Sequence, residues 1–309
     1  MGVIVEAVVP SYHLHTLMSI TPIIQDRYVF ATSGERTGGV YQFVTIHDLD
    51  DLTYKVFTIR APGGLTLNDG GPNSRQFQEY GGACWIAYLY GSNSIGATAI
   101  YPDGSYDSYA LSGYTPYWGN GGSVIAGRLL VNNWTGSYYR FLSYDMTDLS
   151  APPNDLGRAG PGSGYGGWDA VGFDGTNCYV AYGTWVRKWT NVNTGAYTDY
   201  NVGKALVSNG WWDSTSGVIG WFTSDSYLAF MDVASMTMAY VSCPYPTSYA
   251  SLTRDALGVW HWVGNNTVYA YDPSDGSFHS AAVAFPIGDI VSAWPYGNLM
   301  AAISGEAAS

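Results

Sequence analysis

The chain has 309 residues, 47% hydrophobic and 16% aromatic, enough to bury a sizeable core in one large domain or two ordinary ones. A formal charge of −12, with 12 Lys and Arg and no basic stripe, argues against a nucleic-acid partner, because nothing is present to neutralise several phosphates. No apolar run reaches the ~18 residues of a membrane span, and charged residues, at 12%, leave the surface to Asn, Ser, Thr, Tyr and Gly, a profile commoner outside the cytosol.

In chain order, residues 3–9 read as a β-branched strand with no hairpin partner beside it. Seven apolar alternating runs then recur, most of them after a Gly, Asp or Asn turn: 28–31, 84–88, 129–131, 178–182, 218–221, 259–262 and 299–303. After most of them comes a strand that ends in Asp or Asn, with Asp, Ser or Thr three residues on. These pairs are Asp48 with Asp51, Asp145 with Asp148, Asn191 with Thr194, Asp232 with Ser235 and Asp272 with Asp275, plus a shortened copy, Tyr101-Pro102-Asp103-Gly104. Each predicts a strand closed by a turn whose first side chain accepts a bond from the backbone ahead. Steps between successive markers are 55, 42, 46, 41 and 40 residues. A period of ~40–45 residues with several strands per unit is that of a β-propeller blade.

The expected fold is therefore all-β: one domain, 1–309, folded as a seven-bladed β-propeller, with six blades as the alternative if the unit around Leu129 is misread. The blades are expected at about 14–61, 77–112, 122–158, 168–203, 211–243, 250–285, and 288–304 together with 3–9. The last unit is too short for four strands, so the N-terminal strand is expected to complete it and close the ring. The run from Val268 through Tyr269, Ala270, Tyr271 and Asp272 to Gly276 resembles the repeat of quinoprotein-type propellers, and Trp189 to Gly195 is a looser match. The resemblance covers about ten residues per blade and implies the fold. The Trp that commonly follows the repeat Gly is missing, so no quinone cofactor is carried over, and none of any kind is expected.

In a propeller, one face gathers the connections between blades and the turns between second and third strands. Three connectors are long here, 62–81, 112–122 and 157–167, and rich in Gly and Pro. Tyr114, Tyr117, Trp118 and Tyr165 on them, with Trp134 and Trp185 on second-to-third turns, are the candidate ligand-binding aromatics. Asn68, Asp69, Asn120 and Asp225 are the polar groups expected beside them. Flat rings stack on sugar C–H faces while amides and carboxylates read hydroxyls, so a glycan is the expected ligand; Tyr and Trp equally suit a protein partner.

Catalytic residues are expected to be none. No nucleophile elbow, zinc-protease helix or phosphate loop occurs, and the arginines are scattered rather than clustered as in sialidase-like propellers. His13 and His15 lack a third ligand nearby, His47, His261 and His279 stand alone, and no metal site is expected. Cys84, Cys178 and Cys243 are expected as buried free thiols. With no recognisable export signal, the expectation is a non-enzymatic binding and structural module of a virion, in a phage tail, fibre or capsid surface. Its expected partners are virion subunits and a cell-surface glycan or receptor, with no membrane insertion. Two alternatives are retained. One is a carbohydrate-active propeller enzyme, hydrolase or lyase, using carboxylates among Glu35, Asp69, Glu79 and Asp225; the other is an architectural subunit-docking propeller.

Overall fold

The structure, a computed structural model, describes residues 4–8, 17–24, 27–34, 42–48, 50–51, 53–60, 62–64, 78–90, 94–112, 118–125, 127–134, 137–158, 170–206, 210–213, 215–245, 252–255, 257–264, 267–282, 289–296 and 299–305. Its contacts divide the chain into two compact units. One comprises Pro10–Arg158 with Asn193–Gly195 and Ala307–Ser309; the other comprises Met1–Val9, Ala159–Val192 and Ala196–Glu306.

The first strand, β1 (Ile4–Val8), finds its partner only at the far end of the chain. Next come three four-stranded sheets in which each strand pairs antiparallel with the one before it. They are β2 (Leu17–Ile24) to β3 (Tyr28–Gly34), β4 (Gln42–Asp48) and β5 (Tyr54–Ile59); β6 (Gln78–Tyr80) to β7 (Ala83–Tyr90), β8 (Ser94–Ile100) and β9 (Tyr106–Leu111); and β10 (Trp118–Ile125) to β11 (Arg128–Trp134), β12 (Tyr139–Asp145) and β13 (Asn154–Arg158). The other unit repeats the plan with β14 (Ala170–Phe173), β15 (Cys178–Tyr182), β16 (Trp185–Asn191) and β17 (Ala196–Asn201). There follow β18 (Trp211–Asp213), β19 (Val218–Phe222), β20 (Tyr227–Asp232) and β21 (Thr237–Ser242), then β22 (Thr253–Arg254), β23 (Trp260–Gly264), β24 (Thr267–Asp272) and β25 (Ser277–Ala282). A last sheet joins β26 (Asp289–Tyr296), β27 (Leu299–Gly305) and β1, which runs parallel to β27 from Ile4 opposite Met300 to Val8 opposite Ser304. Among the described residues no sheet closes on itself.

Local chemistry explains the plan. The Gly81-Gly82 turn between β6 and β7 has φ of 62° and 75° at its two residues, the doubly left-handed geometry of a two-residue hairpin that only glycine enters without cost. Strand β7 then alternates strictly. Cys84, Ile86 and Tyr88 pack with Phe30, Val44, Ile46 and Ile59 of the preceding sheet, while Trp85 and Ala87 pack with Val124, Leu129, Val131 and Leu142 of the following one. A strand covered on both faces is buried throughout, and β8 accordingly reads exposed only at Ser94. The fourth strand of the same sheet, β9, is mostly exposed, as are β17 and β25.

In the other unit the same logic uses larger side chains. Ile219 and Trp221 of β19 pack with Tyr179, Ala181 and Val186, and Phe222 with Trp260 and Trp262 of the next sheet. Gly220 lies between them on β19 because the Trp260 ring occupies its side-chain position: a Cβ there would stand 2.5 Å from that ring. Cys84, Cys178 and Cys243 are buried free thiols, and burial raises the pKa of each. Among the described residues no helix is long and apolar enough to cross a membrane.

The recurrent Asp is a turn former in every copy whose bonds are described. Asp103 Oδ1 accepts the Ser105 amide at 2.8 Å and its hydroxyl at 2.6 Å; Asp145 does the same for Thr147, at 3.0 and 2.6 Å. The second acidic residues repeat the device, Asp51 with Thr53, Asp148 with Ser150 and Asp275 with the Ser277 amide. Guanidinium groups from the adjacent turn reinforce it: Arg27 Nε donates to Asp48 Oδ1 at 2.7 Å, and Arg128 lies 3.5 Å from Asp145.

Gly220→Ala forces its new methyl against Trp260 and should cost about 1–3 kcal/mol, read as a lower urea midpoint with an unchanged slope; an unshifted midpoint would contradict the packing. The hydroxyl and amide bonds hold Asp51, Asp103, Asp145, Asp148 and Asp275 below the usual carboxylate range. The unfolded chain therefore binds more protons below about pH 4, so the stability these groups contribute is complete above that pH and drains away as pH falls through the folded values. Melting temperatures taken from neutral pH to about pH 2 should drop steeply in that window, and less steeply when Asp103→Asn and Asp145→Asn are combined.

Candidate functional site

Because successive strands alternate in direction, each sheet has two ends. The first-to-second and third-to-fourth turns share one end, where the Asp turns lie. Connectors and second-to-third turns share the other. At that second end, in the unit containing β14–β25, backbone bonds join three segments. The Val202 and Leu206 amides of the connector donate to the carbonyls of Thr184 and Gly183, in the turn before β16, at 2.8 and 2.9 Å. Leu206 also bridges to Thr223, and the Ser224 amide donates to the Ala205 carbonyl at 2.8 Å. The connector is thereby fixed between the second-to-third turns of adjacent sheets.

Lys204 rises from this connector. Its ammonium donates to Asp225 in the β19–β20 turn and lies 3.9 Å from the centre of the Tyr227 ring and 5.7 Å from that of Tyr240. The Asp225 carboxylate is oriented by the buried Thr223 hydroxyl at 2.6 Å, which itself accepts the Tyr227 amide at 3.0 Å. Ser226 completes the turn at φ 65°, a left-handed conformation that costs a non-glycine residue about 1–2 kcal/mol. Tyr240 donates its hydroxyl to the Val202 carbonyl, tying the fourth strand to the connector.

The bond to Asp225 raises the Lys204 pKa, and that bond, with Thr223, holds Asp225 below the usual range. Burial raises the pKa of Tyr240. At neutral pH Lys204 and Asp225 are therefore an ion pair, set beside the Tyr227 and Tyr240 rings. The Lys204 side chain keeps 29% of its exposure and Asp225 49%, so both reach solvent.

The candidate residues named from the sequence distribute as follows. Asp225 lies in this cluster, and Trp185, half-buried, opens β16 directly after the Thr184 turn. Trp118 and Trp134 are register partners across β10 and β11, also at the connector end of their sheet. Trp118 and Asn120 belong to β10 rather than to a loop, because the strand continues past a bulge between Gly119 and Gly122. Tyr114, Tyr117, Tyr165, Asn68 and Asp69 lie outside the described residues, as do Glu35 and much of the connectors expected at 62–81, 112–122 and 157–167. Glu79 is exposed on β6. Lys204, Thr223, Tyr227 and Tyr240 were not singled out from the sequence. The available signal was scarcity, since Lys204 is one of three lysines and sits on a connector outside the repeat.

His261 and His279 serve the scaffold. His261 Nε2 lies 2.9 Å from Asp255 Oδ2, while the other oxygen of Asp255 takes the Leu257 and Val259 amides. His279 pairs with Ser277 at 2.7 Å. Among the described residues no three His, Cys, Asp or Glu side chains converge as metal ligands would.

No family model matches the sequence, and no curated protein matches it in sequence. The fold does have solved neighbours. Virginiamycin B lyase from Staphylococcus aureus is similar with a TM-score of 0.57 and 13% identity, over 88% of this chain and 85% of that one. A streptogramin B lyase is similar with a TM-score of 0.60 and 14% identity, over 92% and 88%. A chain of the mitotic checkpoint complex follows with 0.58 and 10%, over 90% and 80%. At such identities the likeness establishes an all-β, propeller-like fold of repeated sheets. It also corrects the functional expectation. Two of these neighbours are enzymes, so the reading of a non-enzymatic virion module does not stand, and nothing in the comparisons supports a phage identity. The error has a physical source: a propeller-like fold gathers its site from separate turns, so a missing contiguous motif says little about catalysis.

Proposed function

We propose that the protein is an enzyme of the lyase class on a propeller-like fold, acting at the connector end where Lys204 stands. The observation that carries this reading is the Lys204 ammonium, held by Asp225 and Tyr227 of one sheet on a connector whose backbone is bonded to the turns of two neighbouring sheets. The lyase neighbours support the class.

In elimination next to a carbonyl or carboxylate a base, here solvent hydroxide, takes the proton of the adjacent C–H as water. The electron pair left behind builds negative charge on the oxygen, then forms the double bond as the β-leaving group departs and is protonated by solvent. A fixed ammonium facing that oxygen lowers the barrier because its position is settled before the charge develops. Lys204 takes this role. Asp225 and Thr223 orient it, and Asp225, held at a low pKa, is a poor base. A hydrolase reading needs two carboxylates about 5–9.5 Å apart. Among the described residues of this cluster, Asp225 faces a lysine instead. Substrates of this class carry an ester, lactone or uronate group beside an acidic C–H.

The finer architecture belongs to the same proposal. The seven sheets are the blades of one seven-bladed ring in a single domain, and β1 closes it; the parallel pairing of β1 with β27 and the repeated four-strand plan support this reading.

Incubation with virginiamycin B and with a uronate polysaccharide, read by mass spectrometry, tests the chemistry. The expected products are unsaturated and have gained no water, and Lys204→Ala should lower kcat by about 10²-fold or more at an unchanged melting temperature. Products that have gained water, or turnover unaffected by Lys204→Ala, would overturn the assignment. For closure, deleting residues 1–9 should lower the melting temperature by exposing the β27 edge. An unchanged melting temperature would remove β1 from that role.

A further inference from the structure

Away from the connector end, the unit containing β2–β13 has an open recess of about 580 Å³ at its turn end, lined by Tyr28, Lys55, Tyr101, Pro102, Asp103 and Ser105. It is formed where the shortened repeat departs from the others. The full-length turns carry a second acidic or hydroxylic residue three positions after the first, whereas Tyr101 to Ser105 closes in five residues. This tight turn is internally fixed. The Tyr101 amide donates to the Ser105 carbonyl at 3.0 Å, the Gly104 amide donates to the Tyr101 carbonyl at 2.9 Å, and Asp103 Oδ1 takes both Ser105 donors. Gly104, at φ 94°, rests over the Phe57 ring of the preceding sheet. Walls from two sheets are thus set before any ligand arrives.

The lining chemistry defines what fits. Two partly exposed phenol rings and a proline offer C–H and π surface. Lys55 spends one donor on a long 3.3 Å bond to the Asp103 carbonyl, and Asp103 Oδ1 is occupied by Ser105, leaving the ammonium and Oδ2 facing outward as donor and acceptor. Lys55 and Asp103 face each other, the Asp107 carboxylate accepts from the Tyr101 hydroxyl at 3.4 Å, and Arg27 nearby is committed to Asp48 and Asp50. A recess with aromatic walls, a donor and acceptors suits a ligand with an apolar ring face and a hydroxylated edge. Its volume falls in the ~300–1,000 Å³ range of small-molecule sites. We infer that this recess binds a neutral sugar of one or two rings, at a site separate from the connector end.

Saturation-transfer NMR on the full chain tests this with methyl glycosides of glucose, galactose and mannose. At least one glycoside should show transfer, with a Kd on the order of millimolar. Lys55→Ala, an exposed change, should weaken it about tenfold, the loss of one hydrogen bond to a charged group, and Tyr101→Ala should abolish it. Tyr197→Ala, which removes an exposed tyrosine of the other unit, should leave it unchanged. No transfer from any glycoside, or transfer indifferent to Lys55→Ala, would overturn the assignment. Either result leaves the Lys204 reading untouched, because the two sites share no residue.

Discussion

The constraint on which the structure depends is that a four-stranded sheet of this kind cannot bury its own faces. Each needs a neighbour on either side, and β7 shows the result: alternate residues pack against two different sheets. Packing of this type sets the repeat. It fills second and third strands with apolar residues and leaves the fourth strand to Tyr, Ser and Thr. It also explains the aromatic content. Trp221, Trp260 and Trp262 are fully or nearly fully buried between sheets, and burying one such ring contributes several kcal/mol.

The same constraint divides the sheet ends by task. At the turn end the repeat is kept, because every sheet needs the same hairpins, and Asp side chains stabilise them by accepting local amide and hydroxyl bonds. At the connector end of the unit containing β14–β25 the described connector lies outside the repeat. There the chain places a lysine between two phenols and a carboxylate, on a connector sewn to the turns on both sides. The fixed backbone matters chemically, since an ammonium stabilises a developing charge only when its position is already set. The ion pair by itself is exposed and adds little to stability.

Much of the strand plan was legible because its signals are local: alternation, Gly-Gly and Asp turns, and a period near forty residues. The Asp turns read as scaffold from the sequence alone, since a group repeated in nearly every unit serves what the units share. The candidate site was legible only in part. Asp225 and Trp185 were flagged from their turn positions, but Lys204 meets Asp225 across 21 residues of chain, and Tyr240 reaches Val202 across 38. Long-range meetings of this sort leave no periodic trace. A missing contiguous motif decides little for a related reason, because a site at this end is assembled from separate turns. The shortened turn at Asp103 was noticed as an irregular repeat, yet its consequence, an open recess, depends on a neighbouring sheet that the spacing does not reveal.

The central claim is this division of labour between the two ends, and a paired measurement tests it. Asp145→Ala and Asp272→Ala at the turn end are compared with Lys204→Ala at the connector end, each read for melting temperature and for turnover per folded molecule. The account predicts that the turn variants melt lower with turnover retained, while Lys204→Ala melts normally and loses turnover. The reverse pattern, or equal losses at both ends, would contradict it.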